Sequence, residues 1–427
     1  MSIIDDLRRL GIYSEKLEER IDLNGIIKAE TEPSCPDFPV SQLVGSGYGQ
    51  FKLYKTKFLP EYMHGLLPLS SVFEMNPFEI SDYSKVLFID SETTGLGGAG
   101  TIVFLIGVLY FNGSRFILEQ LLMRDYEDEI AMLEYFRGIL SRFDFVVSFN
   151  GKCFDIPMIV DRYFYNKVIP LENERLEHID LLSFSRMLWS GSIENCRLKT
   201  VERELIGFLR SGDVESWQVP NIYNNYLRSG NEDMLKEVII HNRYDLLSLV
   251  SLLSRVSRSL SSPRNMDFND FQRCLKIGRY YERRNKQREC IDFYSWVFDN
   301  TSSLSEKIQA ARRCSHILKQ SGKSEEAASY LEMAIECGCE DAHLLQEISK
   351  FYEHKRKDYI LALKHAVRGL RALDELKTDA YSPAHADFVK RISRIERKIR
   401  KTNENCSLEN GGKNAGIKGQ EGYSSCA

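Results

Sequence analysis

The stretch KVLFIDSETTGLGGAGT, residues 85–101, is the key to the fold. An apolar run reaches Asp90, and the chain then offers Glu92, two threonines and four glycines within ten residues. Side chains at i and i+2 of a strand project from one face, so Asp90 and Glu92 point together. A carboxylate buried without a partner is costly, and two side by side repel each other. Either the segment is a surface turn, or positive charge collects at its end.

The rest of the chain narrows the choice. Its 427 residues are enough for two or three domains, and 43% hydrophobic residues can fill sizeable cores. A net charge of −4 creates no global positive field, so a nucleic-acid partner would need a local patch. The ten cysteines have no paired CxxC spacing, and Cys337 with Cys339 is too little for a zinc site. The start, MSIIDDLRRLG, is charged where a signal peptide is apolar. The longest apolar run, TIVFLIGVLYF at 101–111, falls far short of the ~20 residues of a membrane helix. These features predict a cytoplasmic protein with reduced cysteines and no membrane segment.

Four regions are expected. Residues 1–80, punctuated by Pro and Gly, read as a lead-in segment packed on the next domain, with a strand or two in GQFKLYKTKF. Residues 81–260 alternate strand and helix patterns, with a hairpin turn at Asn112-Gly113, and predict a mixed α/β layer domain. Residues 266–400 lose the strands and read as helical pairs. Ile277, Gly278 and Tyr281, then Cys290 and Tyr294, take tetratricopeptide spacing. Leu318, Ala327, Leu331 and Ala334 repeat it, and Ile348, Tyr352 and Ala362 do so one residue out of step. Tyr281 to Leu318 is 37 residues and Leu318 to Tyr352 is 34, close to the tetratricopeptide period, although a generic helical bundle reads similarly. Residues 402–427 lack the apolar content for a core and read as a disordered tail.

Converging hard oxygen ligands suit Mg²⁺ or Mn²⁺, and two carboxylates alone would hold such an ion weakly. Two further acids stand out. Asp155, in SFNGKCFDIPMI, follows a strand and a tight turn and opens a helix. Asp245, in EVIIHNRYDLLSL, sits in an apolar helical stripe, with His241 one turn earlier on the same face. Each has a plainer reading: Asp155 as an N-cap, Asp245 with His241 as a structural pair. Asp180, before another apolar run, reads as an N-cap.

Taken in order, FIDSETTGL, FNGKCFDIP and HNRYDLLSL resemble the DEDD 3′→5′ exonuclease superfamily on the ribonuclease H-like fold. More narrowly, ETTGLGGAGTIVFLIGVLYF, HIDLL, RLKTVERELIG and the upstream His64-Gly65 are similar to the YprB-type domain. The resemblance covers roughly 45–260. It implies that Asp90, Glu92, Asp155 and Asp245 are metal carboxylates for two ions. It further implies that Thr93, Thr94, Gly95 and Leu96 line the terminal nucleotide, with Asn150 as a further substrate contact. One departure is visible. The base lies four residues before the last Asp, the tyrosine-branch offset, yet the residue is His241. Tyr244 points about 100° away around the helix and is the poorer base.

The expected architecture is thus an α/β ribonuclease H-like mixed-sheet domain followed by all-α tetratricopeptide-like repeats. The expected function is a metal-dependent nuclease, a 3′→5′ exonuclease on single-stranded DNA or RNA. Its four carboxylates would offset two Mg²⁺ or Mn²⁺ ions, with His241 as a neutral base of pKa ~6.5. Residues 264–401 carry 28 Lys and Arg against 21 Asp and Glu, positive surface that could guide a strand. The repeats could equally bind a protein segment. The alternative function is a non-catalytic nucleic-acid-binding or repeat-scaffold protein that keeps the fold.

Overall fold

The run at the start of the 85–101 stretch forms β5 (Val86–Thr93), with every residue from Val86 to Ile89 buried. A strand covered on both faces reads as a continuous apolar run rather than an alternating one. The computed structural model describes residues 38–95, 100–169, 176–265, 270–375 and 382–414. Two compact units, Met1–Phe268 and Asn269–Ala427, divide the chain.

In the first unit, β5 pairs antiparallel with β6 (Val103–Phe111), and β6 with β7 (Phe116–Leu122). The hairpin between β6 and β7 turns at Asn112–Arg115, with Gly113 at φ +94°. On the other side β5 pairs parallel with β8 (Phe145–Ser148), and β8 with β9 (Glu177–Asp180). β1 (Ser41–Ser46) and β2 (Gly49–Phe58) complete a seven-stranded sheet of order β1-β2-β7-β6-β5-β8-β9. From Ser41 onward, the segment expected as a lead-in supplies two strands of the sheet. β2 bonds along β7 from Lys52↔Leu122 to Phe58↔Phe116, a pairing between segments too distant in sequence to be read locally. A small hairpin, β3 (Met63–His64) with β4 (Leu67–Pro68), follows β2.

Among the described residues the helices of this unit are α1 (Glu129–Leu140), α2 (Asp155–Tyr165), α3 (Leu181–Trp189), α4 (Leu198–Val201), α5 (Val219–Ser229) and α6 (Lys236–Ser261). Asp180 is the N-cap of α3, accepting from the Leu182 amide. α6 is buried on nearly all sides from Val238 to Leu260, the signature of a core helix rather than a surface one. It lies against β5 and β6. α6 runs to Ser261 and a 3₁₀ turn spans Pro263–Asn265, so much of the Ser/Pro-rich stretch after Arg258 is ordered helix.

The second unit contains helical pairs and no strand among its described residues: α7 (Phe271–Glu282) with α8 (Gln287–Asn300), α9 (Leu304–Gln320) with α10 (Ser324–Glu336), α11 (Ala342–Phe351) with α12 (Tyr359–Glu375), then α13 (Pro383–Asn414). Each helix packs on the next. The third pair is one residue out of step because α11 widens into a π-turn over Tyr352–Arg356, which inserts a residue without ending the helix. α13 continues to Asn414, past the expected start of the tail at 402; the remainder of that tail lies outside the described residues. Among the described residues no helix is long and apolar enough to cross a membrane.

Candidate active site

Parallel strands deliver their carboxyl ends to one edge of a sheet, and a site forms where the topology switches there. Here the antiparallel hairpin meets the parallel pair at β5, and Asp90 and Glu92 occupy its carboxyl end, beside a bulge between Glu92 and Thr93. Both face α6, as the two-residue period predicts. Asn242 of α6 donates from Nδ2 to Asp90 Oδ2 at 2.8 Å, and His241 Nε2 lies 3.8 Å from Glu92 Oε1. Asn242 is itself held, accepting from Gln120 Nε2 of β7 at 2.8 Å.

This contact requires Gly107 on β6, paired with Asp90, because a Cβ there would stand 2.1 Å from Asn242 Oδ1 and 2.7 Å from Leu246 Cδ1. Gly107→Ala is therefore expected to destabilise the unit by about 1–3 kcal/mol through overpacking. A thermal melt checks this, and an unchanged melting temperature would refute the close approach.

Asp155 reaches the same edge from the first turn of α2, where the helix dipole favours a carboxylate. Ser91, between the two acids of β5, donates from Oγ to Asp155 Oδ1 at 2.5 Å. Asp245 lies one turn beyond His241 on α6, its Oδ2 3.5 Å from Nε2 of the ring. Ligand atoms of Glu92, His241 and Asp245 all fall within 4.8 Å of one another. The four expected carboxylates are thus brought into mutual electrostatic reach, with His241 among them.

Burial, then the charges of Asp245, Asp155 and Glu92, push Asp90 well above the usual carboxylate range against the Asn242 hydrogen bond. Burial raises Glu92 to about 8, with Asp245 and Asp155 adding and His241 and Arg210 opposing. Burial raises Asp155 to about 6, against the hydrogen bond from Ser91. For His241, burial works against the charge, but Asp245, the hydrogen bond to Asp213 and Glu92 outweigh it and raise the imidazole to about 9. The expected neutral base of ordinary pKa is therefore not the resting form. Asp245 and the hydrogen bond to Asp213, with Glu92 beyond them, favour the protonated imidazole.

The cation not foreseen is Arg210. Its guanidinium donates to Asp245 Oδ1, to Glu202 Oε1 at 2.5 Å and Oε2 at 2.8 Å, and to Asp213 Oδ2 at 3.3 Å. Its Nη1 lies 3.2 Å from His241 Nδ1, and that nitrogen donates to Asp213 Oδ1 at 2.6 Å. Asp213 thus fixes the ring through Nδ1 and turns Nε2 toward Glu92 and Asp245. Arg210 is presented by a π-turn at Glu202–Ile206, which extends α4 and ends at Gly207 with φ +67°. The His64-Gly65 pair supports that turn. Leu66 donates from its amide to Ile206, and His64 Nε2 lies 2.7 Å from Ser248 Oγ, with its pKa lowered to about 3 by burial and Arg210.

The expected nucleotide-lining residues are mostly committed to their own turn. Thr93 donates from Oγ1 to the Gly95 carbonyl at 2.6 Å, and Thr94 exchanges bonds with Ile102 through its amide and hydroxyl. The Thr94 amide is thus engaged by the Ile102 carbonyl. Leu96 lies outside the described residues. Asn150 adopts φ +68°, donates its amide to Asp180 Oδ1 at 2.9 Å and exposes its side chain. The Tyr244 ring packs against Phe208. Asn242 and Ser91 were legible as polar residues beside the expected acids. Arg210 and Asp213 lie in GFLRSGDVES, where no periodicity marks them.

Residues 87–257 match the model of the RNase_H superfamily. The uncharacterized protein YprB of Bacillus subtilis (strain 168) is 27% identical over 355 residues, covering 79% of this chain and 83% of that protein. A family B DNA polymerase from the hyperthermophilic archaeon Pyrobaculum calidifontis aligns at 16% identity with TM-score 0.34, over 47% of this chain. The match takes in 29% of the polymerase chain, under a third of its length. With its mixed seven-stranded sheet and the acids at its edge, the region at 87–257 is similar to the RNase_H superfamily, in a chain similar to YprB.

Proposed function

We propose that this chain is a divalent-cation-dependent nuclease that hydrolyses phosphodiester bonds of single-stranded DNA or RNA from the 3′ end. The observation that carries the reading is the convergence of Asp90, Glu92, Asp155 and Asp245 with His241 at the carboxyl end of β5. The donor set fits two hard cations, Mg²⁺ or Mn²⁺, because it is built of carboxylate oxygens whose crowding favours a bound positive charge. Asp90, Glu92, Asp155 and Asp245 would hold them. When bound, such ions activate a water and brace the leaving oxygen.

The chain's own residues do the rest. Arg210 engages Asp245 Oδ1 and leaves Oδ2 facing His241. Asp213 keeps the imidazole oriented so that Nε2 is the atom that exchanges a proton with the substrate water. Cations held by Glu92 and Asp245 would weaken the field that favours a proton on His241, leaving Nε2 available as the base. We assign Thr93, Thr94, Gly95, Leu96 and Asn150 to the surroundings of the terminal nucleotide. The exposed free thiols of Cys153 and Cys337 suit a reducing compartment, so we place the activity in the cytoplasm.

The test is incubation of the purified protein with 5′-labelled single-stranded DNA and RNA, with Mn²⁺, with Mg²⁺ and with chelator. A metal-dependent ladder shortening from the 3′ end is expected. No product under any condition would transfer the chain to the non-catalytic scaffold reading. His241→Ala is expected to slow single-turnover cleavage by about 10²–10⁴-fold, with residual activity rising at high pH as hydroxide replaces the base. An unchanged rate would remove His241 from the mechanism.

A further inference from the structure

The helical unit holds a cleft of about 360 Å³ lined by Arg279, Arg312, Arg313, His316 and His343. Arg279 lies on α7, the next three on α9 and His343 on α11, so the first helices of three successive pairs build it. The sequence puts them in register. Arg279 and Arg313 are 34 positions apart, as are Gln309 and His343 of the same lining. That spacing returns a residue to the same place in the next helical pair. Arg312 and His316 stand one turn apart on α9.

Of the three arginines, only Arg313 has an ion pair among the described residues. Glu282 accepts from Arg313 Nη1 at 3.1 Å and from the Tyr294 hydroxyl at 3.0 Å. Arg279 donates from Nη2 to the neutral Gln309 Oε1 at 3.3 Å, and neither Arg279 nor Arg312 forms an ion pair among the described residues. Glu347, on the same helix as His343, is engaged by Lys319 and Lys350. All three arginines are exposed. The apolar part of the lining, Leu275 and Tyr294, is buried beneath them.

Resting on the nuclease reading of the other unit, we infer that this cleft binds the phosphate backbone of a single-stranded nucleic acid. Guanidinium forks match phosphate oxygens two at a time, and a positive groove tracks a strand without reading its sequence. A peptide groove anchors apolar side chains in open pockets, and here the apolar residues lie under the charge. A strand held in the cleft is tethered by the chain itself to the unit with the carboxylates, which raises its effective concentration there.

The test uses the full chain in chelator, so that nothing is cleaved, with a fluorescent single-stranded oligonucleotide followed by anisotropy across a salt series. The double variant Arg279→Gln/Arg312→Gln removes exposed groups with no carboxylate partner, and its circular dichroism should match wild type. Its Kd is expected to rise about tenfold. The slope of log affinity against log salt should fall by about 1.4, the loss of two phosphate contacts at about 0.7 each. Unchanged Kd and slope would overturn the proposal. So would a labelled Glu-rich peptide that wild type binds and the variant loses while oligonucleotide binding is unaltered, since the partner would then be an acidic protein segment. Hydrolysis with Mn²⁺ is scored separately on the same proteins. Inert wild type with binding lost in the variant withdraws the nuclease reading and keeps the cleft; active wild type with unaltered binding withdraws the cleft alone.

Discussion

Glu92→Gln is expected to lower metal-dependent hydrolysis by about 10³-fold or more while raising the melting temperature of the metal-free protein. The loss follows from removing one anionic oxygen from a site whose transition-state stabilisation is electrostatic. The gain follows from burial. Glu92 is pushed from an ordinary 4.5 to about 8, with the attraction to His241 already included, so its ionised form costs the folded state free energy. The sign is specific. A carboxyl with a raised folded pKa imposes no penalty below about pH 4.5; the penalty grows from there to about pH 8 and is constant above it. The variant should therefore melt with wild type near pH 4.5 and several degrees above it at pH 8. Saturating Mn²⁺, at about a hundredfold excess over Kd, should stabilise wild type by about 2.7 kcal/mol and the variant by less. Wild-type turnover in the variant, or a melting difference independent of pH, would exclude Glu92 as a metal carboxylate.

Arg210→Ala is expected to be the most destabilising single substitution in the domain. Arg210 and Glu202 are both almost wholly buried, and removing one partner of such a pair leaves an uncompensated charge, at a cost of about 3–5 kcal/mol. For a unit of this size that corresponds to a fall of roughly 6–20 °C in melting temperature. Glu202 is already raised by burial against the pull of Arg210. Without the guanidinium it takes up a proton more readily, so the deficit should be largest at pH 8 and shrink toward pH 5. Arg210→Lys, which keeps the charge but not the fork that reaches three carboxylates, should fall between. Denaturation of both variants at the two pH values decides it. A melting temperature within a degree of wild type at pH 8 would mean that Arg210 does not offset the cluster.

Some of this was open to reading from the residues alone. Glu92 could be assigned to the face of Asp90 because the strand period is two, and Asp245 to the face of His241 because they stand a turn apart on a helix. Asp180 reads as an N-cap and is one. The membership of β1 and β2 in the main sheet was not legible, because β2 pairs with β7 across some sixty residues. The out-of-step third helical pair was visible, but its cause, the π-turn at Tyr352–Arg356, was not. Arg210 carried no signal at all, since it follows a left-handed glycine in a segment without apolar repeat.

The sequence by itself determined which acids share a face, where the strands and helices carrying them run, and that the chain changes from a mixed sheet to paired helices near residue 266. Each of these depends on a period of two or about 3.6 residues, which is local and needs no knowledge of the rest of the chain. Only the tertiary structure decided the charge state of the site. Glu92 and Asp90 are raised, His241 holds its proton to about 9, and Arg210 stands among Glu202, Asp213 and Asp245. Those outcomes follow from burial and from Coulomb interactions over a few ångströms between residues up to 155 positions apart, Asp90 to Asp245, and no local pattern encodes such distances.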